Sequence, residues 1–378
     1  MVATGGDGVQ TAALGRSETA STISFTAMID LRDTWWIGPV EIPTRLVLAP
    51  MAGVSVQAFR RQGRRFGAGL VCSEMVSCAG IEHRNERTLG YLRVASDEHP
   101  LAIQLFGSDP ATMAEAARMV EAAGADLVDL NFGCPVRKVT KTGAGATLLD
   151  DPDRAARIVS SITDAVDIPV SVKLRRGLRD GSRDCLVVGP RLVEAGAASL
   201  TLHPRSAQQM YTGTADHTLT AELVSLVDVP VVASGDIVSR AKAQTVLATT
   251  GASAVMVGRA AQGNPWVLEE IVDGGAREPS REEVVAELVL FIRETVRELG
   301  ERRASGFLKK FYGWYLGRGR FPRPFKQELV VLDSTEEVER RLVAAAPGSL
   351  ALIERLEAEV PSGDDVTLEL PISIYGGG

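Results

Sequence analysis

The stretch AIQLFGSDPATMAEAARMVEAAGADLVDL, residues 102–130, decides the fold. An apolar run at 102–105 is followed by Ser108-Asp109-Pro110, a helix N-cap signal with proline in the first turn. Residues 110–123 read as a helix, Gly124 ends it, and a second apolar run follows at 127–130. That is one strand, one crossover helix and the next strand. Both runs are nearly continuous in apolar residues rather than alternating, which marks parallel strands covered on both faces.

The same unit recurs on either side. Apolar runs stand at 46–49, 70–73, 102–105, 127–130, 170–173, 199–202, 231–233 and 254–257, most followed by a helical stretch. Eight such units predict a TIM (β/α)8 barrel. A doubly wound open sheet needs a Gly-x-Gly-x-x-Gly turn after its first strand, and none stands there. Gly143-Ala144-Gly145 lacks the third glycine and reads as a loop. After about residue 275 the strand runs stop. Residues 282–299, 304–316, 335–345 and 347–359 read as amphipathic helices, so a smaller all-helical C-terminal domain is expected.

Bulk properties fit this picture. The chain has 378 residues, enough for one large barrel and a smaller domain. Apolar residues make up 45% and allow a sizeable core. The net charge of −7 argues mildly against nucleic acid, but a local basic patch is what touches RNA. The four cysteines, Cys72, Cys78, Cys134 and Cys185, form no C-x-x-C pair, so no metal site is expected. So few cysteines in so long a chain point to a reduced, cytoplasmic protein. No apolar run reaches the length of a membrane span. Residues 1–38 read as a disordered extension and lead-in, with Met28 as a candidate start, and 361–378 as a flexible tail.

A TIM barrel carries its chemistry at the C-terminal ends of its strands. Polar residues gather there: Gln104, Asn131, Cys134, Lys173, His203 and Arg259. Each has an ordinary reading as a loop cap or a solvated side chain, but six strand ends sharing the pattern by chance is improbable. Ser234-Gly235-Asp236 and Gly258-Arg259 follow the last two strands and leave backbone N–H groups uncrowded, the common phosphate site of this architecture. A phosphate there, Lys173 beside a ring that becomes anionic, and Gln104 against a ring's amide edge fit flavin mononucleotide.

Ala49-Pro50-Met51-Ala52-Gly53, Asn131-Phe132-Gly133-Cys134-Pro135, Val172-Lys173-Leu174-Arg175, Leu202-His203-Pro204-Arg205, Ser234-Gly235-Asp236 and Gly258-Arg259-Ala260 together resemble the tRNA-dihydrouridine synthases, in particular their bacterial B-type branch. The resemblance covers residues 39 to about 325. It implies that Pro50, Met51 and Ala52 line FMN and that Gln104 and Lys173 contact its ring. His203 would lie near flavin and uracil, while Ser234, Gly235, Asp236, Gly258 and Arg259 would hold the phosphate. Asn131 would contact the target uracil, and Cys134 would be the catalytic acid, with Arg175 and Arg205 as RNA contacts. Two positions depart from the pattern: Ser234 stands where the family more often has Asn, and Pro204 where the B-type branch usually has Gly.

The implied reaction uses NADPH to reduce FMN, gives hydride to C6 of a tRNA uracil and a proton to C5. An acid near pKa ~8.5 is protonated at neutral pH and still releases its proton, so a thiol suits the second step and a carboxylate does not. The ordinary fate of a lone cysteine, a small buried hydrophobe, is assigned to Cys72, Cys78 and Cys185. RNA needs positive charge. Between Arg302 and Lys326 the chain carries Arg302, Arg303, Lys309, Lys310, Arg318, Arg320, Arg323 and Lys326 with no Asp or Glu, interleaved with Phe311, Tyr312, Trp314 and Tyr315. Cations with aromatics suit RNA, and Lys309 and Lys310 are the expected contacts, although the aromatics fit a helix core equally well. Arg60, Arg61, Arg64 and Arg65 read as a solvated helix face. The domains are therefore an FMN-binding barrel at 39–275 and a helical tRNA-binding domain at 276–360. Two other readings stand beside this one: a flavin barrel that reduces a free pyrimidine or enoate, which shares the flavin residues but does not need the basic helical domain, and an inert barrel that only binds RNA, against which intact Cys134 and Lys173 argue.

Overall fold

The computed structural model describes residues 1–2 and 29–360. The expectations for the N-terminal extension up to residue 28, the Met28 start and the tail at 361–378 lie outside the described residues. A hairpin, β1 (Trp35–Ile37) and β2 (Val40–Ile42), precedes the barrel and was not expected from the sequence. The barrel strands are β3 (Leu46–Leu48), β4 (Leu70–Cys72), β6 (Leu101–Phe106), β7 (Leu127–Phe132), β8 (Val170–Arg175), β9 (Ser199–His203), β10 (Val231–Ser234) and β11 (Ala254–Val257). The two-residue β5 (Val76–Ser77) pairs alongside β6. All eight barrel strands are parallel. The ring closes because β4 pairs with β6 on one side and β3 on the other, while β11 returns to β3. All eight expected runs are strands of this barrel.

Helices wrap the ring: α1 (Gln57–Arg65), the short α2 (Cys78–Glu82) and α3 (Glu86–Leu89), α4 (Pro110–Ala122), α5 (Arg137–Thr140), α6 (Pro152–Thr163), α7 (Cys185–Glu194), α8 (Thr218–Leu226), α9 (Arg240–Thr250) and α10 (Trp266–Asp273). The cap read from the sequence is present: the Asp109 carboxylate accepts from Thr112 N at 2.8 Å, with Pro110 in the first turn.

The C-terminal region is helical throughout: α11 (Arg281–Leu299), α12 (Glu301–Arg318), α13 (Arg323–Val330), α14 (Thr335–Ala345) and α15 (Ser349–Glu359). Ser280 and Glu283 form a reciprocal capping box that starts α11. The sequence reading missed α13, whose first turn holds Arg323 and Pro324. Aromatics between the basic residues of α12 are core. Phe311, Tyr312 and Tyr315 are buried, and Phe311 lies 4.8 Å from Phe291 of α11 between ring centroids.

The arginines of α1 correct an expectation. Arg60 and Arg61 are buried rather than solvated, because α11 lies on α1 and covers that face. Arg60 pairs with Glu98 at 2.7 Å, Arg61 with Asp97 at 2.9 Å and Glu294 at 3.0 Å, and Arg65 with Glu287 at 2.9 Å. Arg64 donates to the backbone carbonyls of Ala68 and Gly69.

Candidate active site

A cavity of about 670 Å³ opens at the C-terminal ends of the barrel strands. Every expected site residue except Lys309 and Lys310 lines it. Pro50, Met51 and Ala52 form the loop after β3. Ser55 braces that loop by accepting from Met51 N and donating to Ala49 O, each at 3.0 Å. The loop ends where Gly53 N donates to the buried Glu74 carboxylate at 2.6 Å.

Gln104, Asn131 and Cys134 lie along one polar line. Gln104, 1% exposed, donates through Nε2 to Asp129 at 2.6 Å. Its Oε1 accepts from Asn131 Nδ2 at 2.7 Å. Asn131 Oδ1 accepts from Cys134 N at 2.8 Å and Gly133 N at 3.2 Å. Cys134 is half-buried, whereas Cys72, Cys78 and Cys185 are buried. Burial raises the Cys134 thiol pKa against the pull of the Val136 backbone and of Arg175 and Lys173, so the sulfur keeps its proton at neutral pH. Gly145 backs this turn. With φ at +66°, it leaves room for the Cys134 carbonyl, 2.6 Å from where its Cβ would stand. The sequence signal for it was the same Gly143-Ala144-Gly145 run read as a loop.

Lys173 rises from the end of β8. Burial and Arg175 lower its pKa to about 8, while Asp129 acts the other way. His203, 7% exposed, is driven down to about 2 by burial and by Lys173, Arg175, Arg205 and Arg259. Arg205 Nη1 lies 3.3 Å from its Nε2, so that nitrogen is the acceptor and the proton sits on Nδ1.

The glycine of the β10 loop is required by its surroundings. Gly235 has φ of +112°, and a Cβ there would stand 2.9 Å from both Ala215 Cβ and His203 Cδ2. Ser234 is the buried last residue of β10, and Gly258 follows β11 beside Met51. Asp236 has φ of +56°, and its carboxylate faces protein. It accepts from Arg205 Nη2 at 2.8 and 2.9 Å and from Ala215 N at 2.8 Å. The Asp236 side chain is thus taken up by protein partners, and Arg259, which follows β11, lies 3.9 Å from it.

Arg175 and Arg205 line the cavity rather than an outer surface. They are 4% and 2% exposed. Arg175 donates to the carbonyls of Gly133, Ser206 and Met210. Arg205 donates to Thr212 O, Gly213 O and Asp236. Both guanidinium groups are thus committed to the walls of the cavity. They stitch down a loop that presents Tyr211, which the sequence reading missed. Its ring is 53% exposed at the mouth, under the Arg259 guanidinium at 4.7 Å. An isolated tyrosine in a loop has no periodicity to single it out.

Lys309 and Lys310 stand on α12 and do not line the cavity. Lys309 pairs with the exposed Asp333 at 3.0 Å. Lys310 turns onto the barrel, donates to the Gly53 carbonyl and lies over the Phe307 ring at 4.2 Å. Arg302, Arg303, Arg320 and Arg323 are exposed and, among the described residues, form no ion pair. Among the described residues there is no group of three or more His, Cys, Asp or Glu that could hold a metal ion, and no helix long and apolar enough to cross a membrane.

Comparison with known proteins gives a consistent result. The family model for dihydrouridine synthase (Dus) matches residues 47–349. The tRNA-dihydrouridine synthase B of Pseudomonas aeruginosa is 38% identical over 307 residues, 79% of this chain and 92% of that protein. That of Xanthomonas campestris pv. campestris is 38% identical over 284 residues, 74% and 86% of the two chains. That of Proteus vulgaris is 35% identical over 312 residues, 80% and 96%. Among solved structures, histamine dehydrogenase from Rhizobium sp. 4-9 aligns with a TM-score of 0.53 at 14% identity, over 70% of this chain and 50% of that one. A morphinone reductase variant in complex with tetrahydroNAD aligns with a TM-score of 0.50 at 16% identity, over 66% and 92%. At these identities the structural likeness speaks for the barrel fold.

Proposed function

This chain belongs to the dihydrouridine synthase family, and from that premise we propose that it reduces the C5–C6 double bond of a uridine in the D-loop of tRNA, with FMN as bound cofactor and NADPH as reductant. The observation that carries this reading is the convergence of a protonated, half-buried thiol with Lys173, Gln104 and Asn131 on one cavity whose far wall is a glycine-lined strand end.

The cavity fits the flavin. Its volume of about 670 Å³ lies within the ~300–1,000 Å³ of small-molecule and cofactor sites. Gly235 and Gly258 keep side chains off the backbone where a phosphate would sit, and Arg259 adds a cation there. Lys173 is a half-buried cation that would sit beside the ring, and Gln104 is fixed in one orientation to meet its amide edge. Pro50, Met51, Ala52 and Ser234 line the same space. A reduced flavin held by these residues would supply the hydride for C6 of the uracil.

The residues of the chain do the rest. Asn131 orients the base that has left the tRNA stack. Cys134 Sγ gives its proton to C5 and is left as the thiolate, which water reprotonates. His203, neutral throughout the working range, accepts or donates a hydrogen bond without changing charge. The exposed Arg302, Arg303, Arg320 and Arg323, with Lys309, form the surface of the helical domain that meets the tRNA backbone. The protein then works where tRNA is, in the cytoplasm.

Replacing Cys134 by alanine tests the reading. The Cys134→Ala protein is expected to stay yellow and to oxidise NADPH. Its dihydrouridine formation, measured by mass spectrometry of tRNA, should fall by about 10²-fold or more, the usual loss of a general acid. Undiminished dihydrouridine formation would remove Cys134 from the role.

A further inference from the structure

One buried acid in the barrel has no place in the chemistry so far. Asp129 lies in β7, 3% exposed, between Gln104 of β6 and Ser171 of β8, which are its register partners on the two flanking strands. Ser171 Oγ donates to its Oδ1 at 2.6 Å and Gln104 Nε2 to its Oδ2 at 2.6 Å. Burial pushes the Asp129 carboxyl up to about 6, with Ser171, Gln104 and Lys173 drawing it back. Above that pH it is an anion, and a carboxylate can only accept.

That fact propagates. With Nε2 turned to Asp129, Gln104 must aim Oε1 the other way, where it takes Asn131 Nδ2 at 2.7 Å. Asn131 then aims Oδ1 at the N–H groups of Gly133 and Cys134. These N–H groups need an acceptor at one end, and the carboxylate needs donors at the other. One polarity of two amides satisfies both. We infer that Asp129 is a positioning residue for the Cys134 turn, acting through the side-chain amides of Gln104 and Asn131. The inference rests on the reading of Cys134 as the acid.

The test uses the full-length protein as purified. It measures the rate at which iodoacetamide labels Cys134, followed on its peptide by mass spectrometry, together with steady-state dihydrouridine formation. Asp129→Leu leaves Gln104 Nε2 buried without an acceptor. Gln104→Met removes the donor to Asp129 and the acceptor for Asn131 together, with little change of volume. Each is expected to label about tenfold faster, in line with the loss of a buried hydrogen-bond partner. In each, kcat for dihydrouridine falls by about tenfold while KM for tRNA stays within about twofold, as for an interaction used only in the transition state.

The double variant Asp129→Asn with Gln104→Glu rebuilds the polarity. Its new amide in β7 donates to one oxygen of the new carboxylate in β6. The other oxygen of that carboxylate accepts from Asn131, and Ser171 donates to the carbonyl oxygen of the new amide. Its labelling rate should stay within about twofold of that of the unmodified protein. Where Asp129→Leu does not fold, Gln104→Met and the double variant decide alone. A labelling rate unchanged in Gln104→Met, or one raised in the double variant, overturns the inference. If Cys134→Ala keeps full dihydrouridine formation, the proposed acid is wrong, yet the labelling comparison still decides what Asp129 positions.

Discussion

Four cations surround one imidazole at the barrel mouth, and the imidazole answers by staying neutral. His203 is buried among Lys173, Arg175, Arg205 and Arg259, which together with burial hold its pKa down at about 2. A histidine in that state is no proton donor from a charged form, so the acid that the reaction needs falls to Cys134, whose thiol burial keeps protonated. The depressed value carries a stability consequence of definite sign. In the unfolded chain the residue titrates near 6.5, so below that pH the unfolded state takes up a proton that the folded state refuses. Folding stability therefore falls as pH drops from about 6.5 toward 2. From pH 7.5 to 5.5 this one residue should remove about 1 kcal/mol. Urea unfolding of the protein and of His203→Asn at those two pH values measures it. The variant should lose about 1 kcal/mol less on acidification, and an identical loss in both would show that the folded imidazole titrates normally.

An element-scale contact joins the two parts of the molecule at the cavity. Lys310 of α12 donates to the Gly53 carbonyl, and Glu74, two residues beyond β4, accepts from the Gly53 N–H at 2.6 Å. The peptide groups on both sides of Gly53 are thereby clamped, and the loop they end is Pro50-Met51-Ala52. Lys310→Ala is expected to speed hydrogen exchange at the Gly53 amide by roughly an order of magnitude, as local opening becomes easier. Flavin affinity should weaken about threefold or more, one hydrogen bond's worth. An unchanged exchange rate would mean that Glu74 holds the loop by itself. This contact also marks the limit of what the sequence discloses. The eight strands were legible because each is a mostly apolar run followed by a turn and a helical stretch, and the cavity residues because strand ends converge by geometry alone. Lys310 read as an RNA contact because charge and exposure are properties of a helix by itself. Its partner lies 257 positions away, and only the packing of α12 against the rim brings them together. The burial of Arg175 and Arg205 was hidden for the same reason: an arginine at a strand end looks outward until the following loop folds over it.

Across the whole molecule the barrel and the helical region share one hydrophobic cluster, and a charged seam runs through their junction. Arg61 and Arg65 of α1 face Glu294 and Glu287 of α11. Gln62 bridges them to the helical core, donating to Glu287 at 3.0 Å and accepting from Tyr315 Oη at 2.6 Å. Net charge sums such buried, mutually paired groups with those that face solvent, which is why it was a poor guide to an RNA surface. Buried ion pairs of this kind hold register more than they stabilise, since the desolvation of each charge offsets much of the attraction. Glu294 illustrates the balance. Burial outweighs Arg61, Arg65 and Arg297 and pushes its carboxyl up to about 7. Its folded value thus lies above the unfolded one near 4.3, so as pH rises through that window the unfolded chain sheds a proton that the folded protein keeps. Stability must fall over the same window, the opposite sign to His203. Glu294→Gln removes the charge, while Arg61 retains Asp97 at 2.9 Å. Relative to the unmodified protein, the variant should gain on the order of 1–3 kcal/mol between pH 5 and pH 8. Urea unfolding at both values reads the difference. A variant that instead loses stability between pH 5 and pH 8 would show that Arg61 holds Glu294 as a stabilised anion, and that the seam binds the two regions by charge attraction rather than by the fit of its hydrogen bonds.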